Sequence, residues 1–354
     1  MHSKKNAVRG TRWFVFVVMI GMSMAGFSKE LTDSKETSMQ SGLAWDASVG
    51  LEYDDNIYRA PANPYTDYSD KTPPVSGYVT IAPEVQSGLL VPGKLSAAYK
   101  NALNDKNQLI GAYSFRGDIY VDSTYSNANL YDHEARIGAQ HVFKVNKNRL
   151  DTFYAGALLG KHHQLYLDRD TGDEQRSSGT QTDISEKYIY ANSGIEAVYK
   201  NTTSPLQFEL FGSYENRDHD DPGVVRQYDN TYLTFGAKAN YGTAKGRKLY
   251  LGYERSSYDY DERRSRNALG VLSGANPVLK YVYDVFSASI RQHLTGAVVA
   301  YIDYELKLRA DEALGYNNYD KNLFKLRLLY AYGKQVSFKL SASYWERDYP
   351  NAFA

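Results

Sequence analysis

The 354-residue chain has no cysteine, only 3 tryptophans and 10 prolines, and no net charge, its 41 basic residues matching its 41 acidic ones. Each shortage removes a class of protein. Without cysteine there is no disulfide framework, no thiolate metal site and no thiol nucleophile. The balanced charge gives no footprint for nucleic acid. Past the N-terminus no apolar run approaches the roughly 20 residues of a transmembrane helix. Neither G-x-S-x-G nor H-E-x-x-H occurs, so no hydrolase or zinc-protease signature is present, and no enzymatic activity, cofactor or metal is expected.

Tyrosine is what the chain has in excess, 33 residues against 13 phenylalanines. Tyrosine suits strands, and its amphipathic ring suits a membrane–water boundary. The N-terminus has another character. Lys4, Lys5, Arg9 and Arg12 precede an apolar run from Trp13 to Met24, and the small residues Ala25, Gly26 and Ser28 follow. A basic start, an apolar core of about 7–15 residues and a small-residue exit make a secretory signal peptide. Residues 1–28 are read as that peptide, outside the fold, 29–41 as a linker and 42–354 as one domain.

In Ala297–Arg309, Val298, Ala300, Ile302, Tyr304, Leu306 and Leu308 share one lane while Asp303, Glu305, Lys307 and Arg309 share the other. Successive side chains of a strand point to opposite faces. One face is therefore apolar and the other charged. In a soluble sandwich the apolar face would be a core; in an outer-membrane barrel it would meet lipid, and the charged face would line a wet lumen. The same period predicts strands over about 42–53, 75–89, 109–121, 131–145, 150–162, 187–200, 206–217, 226–241, 248–258, 279–292, 297–309, 320–332 and 336–348, with no helix.

The links between these strands alternate in length. Asn146–Arg149, Asn201–Ser204, Gly242–Arg247, His293–Gly296 and Gly333–Gln335 are short; Asp54–Pro74, Asp122–Asn129, Lys161–Glu186, Arg217–Val225, Tyr258–Val278 and Ala310–Tyr319 are long and polar. Short turns on one rim and long loops on the other are the habit of an outer-membrane barrel. The alternating segment 93–107 would spoil this parity as a full crossing, so it is read as an extension or hairpin on the periplasmic side. The fold class is thus an all-β, antiparallel transmembrane outer-membrane barrel of about 13 visible strands. Such barrels use even numbers, which predicts a fourteenth, closing strand lacking after 336–348.

The first strand runs into Tyr53-Asp54-Asp55-Asn56-Ile57-Tyr58-Arg59, and the last into Trp345-Glu346-Arg347-Asp348-Tyr349-Pro350-Asn351. With these motifs the chain resembles the beta-barrel porin family of outer-membrane proteins associated with exopolysaccharide and capsule systems in Gram-negative bacteria. Members typically end on an aromatic residue in the closing strand, whereas Phe353 falls in the expected loop. The resemblance implies a role in export or passage of polysaccharide at the bacterial outer membrane.

The predicted lumen lane carries Arg116, Asp118, Arg136, Lys238, Asp303, Glu305, Lys307, Arg309, Lys325 and Arg327 as pore-lining candidates, beside Glu52, Glu134, Glu196, Glu209, Glu254, Lys339 and Arg347. Their mixed signs predict little selection for one ion charge. Tyr120, Tyr232, Tyr250, Tyr301 and Trp345 are the candidates for stacking on sugar rings, with Tyr78, Tyr190 and Tyr228 on the same lane. A filled, rigid lumen laced by ion pairs accounts for these residues about as well. Tyr53-Asp54-Asp55-Asn56 clusters oxygen ligands of the kind Ca²⁺ takes, but it reads more simply as a solvated loop start. Asp218-His219-Asp220-Asp221 reads as a turn before Pro222-Gly223. His162 and His163 point to opposite faces, and His133 and His141 lie on the apolar lane, so neither pair makes a metal site. Expected partners are outer-membrane lipid and a polysaccharide or its export machinery. A scaffolding barrel with a plugged lumen and partner-binding loops is the rival reading.

Overall fold

A computed structural model of the chain describes residues 6–13, 17–19, 41–58, 65–66, 80–81, 85–146, 149–165, 167, 185–203, 205–220, 228–242, 246–267, 271, 273–332 and 336–350. Most of them are strand. Two N-terminal strands, β1 (Asn6–Trp13) and β2 (Val17–Met19), precede β3 (Gly42–Val49), β4 (Glu52–Asp54) and the small pair β5 (Tyr65–Thr66) and β6 (Thr80–Ile81). The wall follows as β7 (Gly88–Ala102), β8 (Asn107–Tyr120), β9 (Leu130–Asn146), β10 (Arg149–Gln164), β11 (Tyr190–Thr202), β12 (Leu206–His219), β13 (Asn230–Gly242), β14 (Lys248–Arg264), β15 (Val278–His293), β16 (Val298–Asp311), β17 (Tyr319–Tyr332) and β18 (Val336–Tyr349). Among the described residues helix is confined to two 3₁₀ turns, Ser123–Ala128 and Ser185–Tyr188. No helix among the described residues is long and apolar enough to cross a membrane, which says nothing of crossing by strands.

From β7 to β18 every strand pairs antiparallel with its sequence neighbour, and β3 and β4 add in line to the free side of β7. The connections obey the expected parity. The pairs β7–β8, β9–β10, β11–β12, β13–β14, β15–β16 and β17–β18 are joined by short links at one end of the wall, and β4–β7, β8–β9, β10–β11, β12–β13, β14–β15 and β16–β17 by longer ones at the other. At the short turn 103–106 the Asn104 side chain accepts from the backbone N–H of Lys106 at 3.0 Å and of Asn107 at 2.9 Å, the local bonding that makes asparagine a turn residue. In the long link 121–129 the Asp122 carboxylate accepts from Thr124 N at 2.9 Å and caps the 3₁₀ turn. That backbone hydrogen bond holds its carboxyl below the usual range.

The strand reading needs one correction. Gly88–Ala102 crosses as β7, whereas of 75–89 only Thr80, Ile81, Gly88 and Leu89 are strand among the described residues. The segment 93–107 is therefore most of a crossing strand and its turn, not a periplasmic extension. Gly88, Pro92 and Gly93 are turn-type residues, and they hide β7 in the sequence. Pro92 is tolerated because it sits opposite residues 50–51, where the ladder lapses between β3 and β4; its carbonyl still accepts from Gly50 N at 2.9 Å. The exchange leaves the number of wall strands at 13 and keeps all long links on one rim. In the uncleaved chain, before removal of the expected signal peptide, β1 and β2 lie antiparallel along β18. An open edge offers unpaired N–H and C=O groups, and a segment rich in Val and Trp can satisfy them. On its other side β1 approaches β4 without a ladder, so the sheet stops short of closure.

The sheet is curled with its charged lane inside. Arg217 of β12 sits over the Tyr258 ring of β14 at 5.3 Å, and Arg309 of β16 over the Tyr349 ring of β18 at 5.9 Å. Residues two strands apart on a flat sheet would be nearly 10 Å apart; concavity brings them together. Glu52 of β4 interacts electrostatically with both Arg116 of β8 and Lys339 of β18, at opposite ends of the wall. The convex lane is apolar and open: Ile137 is 69%, Ile195 64%, Leu159 61% and Ile302 59% exposed. Among the described residues no second layer covers them. A belt of this size in water would be an aggregation surface; against hydrocarbon it is the lipid face of an outer-membrane barrel wall. Tyr99, Phe143, Tyr241 and Tyr330 mark the short-turn end of that face as an aromatic rim. Among the described residues the other sheet is the two-stranded β5–β6 pair, too small to be the second layer of a sandwich.

Candidate functional site

The concave face has two levels on β11–β18. Near the long-loop ends lies an arc of tyrosines and arginines. Arg217 stands over the rings of Tyr232 at 4.0 Å, Tyr190 at 5.2 Å and Tyr258 at 5.3 Å. Tyr232 packs on Tyr258 with centroids 4.4 Å apart, and Tyr258 meets Tyr283 edge-on at 5.2 Å. Lys307 lies 4.4 Å from the Tyr283 centroid. Arg309 lies 4.7 Å from Tyr281 and 4.2 Å from Tyr319, and Arg347 lies 4.7 Å from Tyr319 on its other side. Tyr281 and Tyr319 are each 6% exposed, buried in this stack. The rows exist because cross-strand register sets Tyr232 opposite Tyr258, Tyr258 opposite Tyr281 and Arg309 opposite both Tyr283 and Tyr319. The arc begins beyond Tyr190, which is sandwiched by His162 and His219 at 4.9 Å each.

Below the arc, toward the short turns, the wall forms a depression of about 350 Å³ lined by Lys238, Tyr250, Ser287, Ser289, Asp303, Glu305, Lys325 and Arg327, among others. It adjoins a second hollow of about 280 Å³ that reaches Phe211 and Lys307. Charges here are compensated. Arg327 clamps Asp303 with two bonds of 2.6 and 2.8 Å, and Ser289 donates to the same carboxylate at 2.5 Å. Lys238 pairs with Glu209 at 3.5 Å and lies 4.4 Å from the Phe211 ring. Gly236 makes room for that ring: a Cβ there would fall 2.5 Å from Phe211 Cζ and from the Tyr253 carbonyl.

Across the lumen, on β8–β11, ion pairs dominate. Arg116 binds Asp118 at 2.6 Å; Arg136 binds Glu134 at 2.7 Å and Glu196 at 3.2 Å; His162 binds Asp132.

The structure sets the predicted pore-lining residues Arg116, Asp118, Arg136, Lys238, Asp303, Glu305, Lys307, Arg309, Lys325 and Arg327 on the lanes opposite the exposed apolar belt. It divides the stacking candidates. Tyr232 belongs to the arc, and Trp345 lies at its end, 5.7 Å from Arg347. Tyr250 and Tyr301 belong to the lower level, Tyr301 beneath Arg327 at 4.5 Å. Tyr120 is on the far wall, donating to Asp54 at 3.0 Å and edge-on to Tyr125. In the motif at the first strand, Asp54 is buried and also accepts from Asn56 N at 3.0 Å, Asp55 is exposed, and Tyr53 faces outward. Asp54 is therefore tied to the wall at a loop start. Arg59 and Tyr78 lie outside the described residues. Arg217, Arg263, Tyr258, Tyr281, Tyr283, Tyr319 and Tyr349 were not among the expected site residues. Arg263, Tyr319 and Tyr349 lie beyond the strands expected from the sequence and Arg217 and Tyr258 at their very ends, and a run of tyrosine at every second position beside a long link is the signal for them.

No family model matches the chain, and no curated protein matches it. Among solved structures it is similar to OmpT (in-vitro folded), an outer membrane protein of Vibrio cholerae, with 12% identity over 88% of this chain and 99% of that chain and a TM-score of 0.33.

Proposed function

We propose that the protein is a conduit, or a conduit's accessory, for the passage of saccharides or other small polar solutes across the bacterial outer membrane, reached through the N-terminal signal peptide. The observation that carries this reading is the continuous aromatic arc on a concave, wet face whose other side is greasy. Tyrosine offers an apolar ring to the C–H face of a sugar and a hydroxyl to its oxygens. A face needed only to fill space would be cheaper as aliphatic packing, and neighbouring depressions of about 350 and 280 Å³ leave this wall unfilled at mid-height. Lipid is then the partner of the convex face, and polysaccharide or its export apparatus that of the lumen and rims. The resemblance to exopolysaccharide-associated porins points the same way. Single-channel recording of the full chain in planar bilayers tests the reading. A stable open conductance that falls on adding a saccharide supports it; a folded but silent protein supports the plugged scaffold instead.

A further inference from the structure

We infer that the arc prefers anionic saccharides, chains bearing carboxylate, sulfate or phosphate groups, over neutral ones; this rests on the conduit reading. Every hydroxyl of a neutral sugar carries a hydrogen to donate, so sites for such sugars need free acceptors. The arc supplies donors. Of Arg217, Arg263, Lys307, Arg309 and Arg347, only Arg217 has a carboxylate within ion-pair distance among the described residues, Glu215 at 3.2 Å. The others are held against tyrosine rings, Arg263 between Tyr228 at 4.7 Å and Tyr260 at 5.2 Å.

A guanidinium stacked by its face keeps in-plane N–H groups for a ligand, in the fork that matches a carboxylate, sulfate or phosphate; of the five N–H groups on each, Arg309 gives its Nε–H to the Asn317 carbonyl at 2.6 Å and Arg347 an Nη1–H to the Tyr349 hydroxyl at 3.0 Å. The Nε atoms of Arg217 and Arg347 are buried with no hydrogen-bond partner among the described residues. Glu254 and Glu305 stand within electrostatic reach of Lys307, so five cations face three carboxylates here; other nearby acceptors are already engaged. Glu215 also accepts from Asn192 at 3.1 Å, and Asp311 accepts from Ala313 N at 3.2 Å, Leu314 N at 3.3 Å and Asn317 Nδ2 at 3.2 Å. The result is a cationic, donor-rich, aromatic surface at the long-loop end of a lumen that is charge-compensated elsewhere. Mixed signs along the strands suggested no preference for one charge; in space the signs separate.

Two measurements distinguish failure of this inference from failure of the conduit reading. Calorimetry on the full chain folded in detergent micelles would compare a hexamer of galacturonate with maltohexaose, and needs no open pore. The uronate is expected to bind about tenfold tighter, by charge-assisted hydrogen bonds that neutral sugars lack, with the advantage shrinking as salt is raised. Arg309→Gln together with Arg347→Gln should abolish the advantage and leave maltohexaose binding within about twofold. Equal binding of both hexamers to the unaltered protein, or tighter binding of maltohexaose, overturns the inference, as does an advantage that survives the double substitution. Planar-bilayer recording then tests the conduit reading separately, since uronate binding without conductance would sink that reading and leave the arc's selectivity standing.

Discussion

On the two sides of one lumen the same cation is held in two ways. On β8–β11, Arg116 and Arg136 are bound to carboxylates on their own strands, and Arg136 also to Glu196 two strands away. On β12–β18, Arg309 and Arg347 are bound to tyrosine rings. Both solutions satisfy a cation away from bulk water, but they leave different residues of charge. An ion pair cancels its field. A ring holds a guanidinium through its quadrupole and cancels nothing. The first wall is thus set up for rigidity and the second for attracting a negative ligand.

That contrast presupposes that both sets of arginines face a wet interior. The largest expected effect tests this. Ile302→Arg, on the open apolar lane, should destabilise folding into lipid vesicles by about 2–4 kcal/mol, the cost of a cation at mid-bilayer. Tyr301→Arg, one residue away, should cost far less. Equal losses in urea titrations of the two variants would erase the distinction between faces.

Next in size is the packing that opens the mid-level hollow. Gly236→Ala forces a Cβ against Phe211 and a backbone carbonyl and should cost about 1–3 kcal/mol by overpacking. Phe211→Leu in the same chain should recover part of it, leaving only the clash with the carbonyl. A neutral Gly236→Ala would mean that this wall is looser than its contacts imply.

The smallest effect is the most telling. A double-mutant cycle on Arg136 and Glu196 should give a coupling of about 0.5–1 kcal/mol, discounted because the arginine is partly exposed, and it should fade in high salt. A cycle on Arg309 and Tyr319 should give a coupling of similar size that salt changes little. If both couplings respond to salt alike, the two walls do not differ in kind.

Much of this was legible in the chain. Ala297–Arg309 alternates so cleanly that its lipid and lumen lanes are read directly, and the short turns at 294–297 and 333–335 fix the sense of the strands beside it. β7 was missed because alternation is a necessary mark of a strand and not a sufficient one. Residues 75–89 alternate too, while Gly88, Pro92 and Gly93 disguise the real crossing. The motif at Tyr53–Arg59 reads most simply as a loop start, and at Asp54 it supplies a hydrogen bond that ties that loop start to Tyr120.

The sequence alone determined the period, the two lanes and the sorting of loops between rims, because side-chain direction in a strand follows from residue parity and nothing else. It also determined which residues are available to the lumen. Tertiary structure decided which of them meet. Neighbours on one lane are nearly 7 Å apart along a strand, so the partners of Arg217, Arg309 and Arg347 come from other strands, chosen by register and by the curl of the sheet. Those two quantities depend on every turn and bulge between distant strands, and they turn a lane of mixed charges into one cancelled wall and one positive arc.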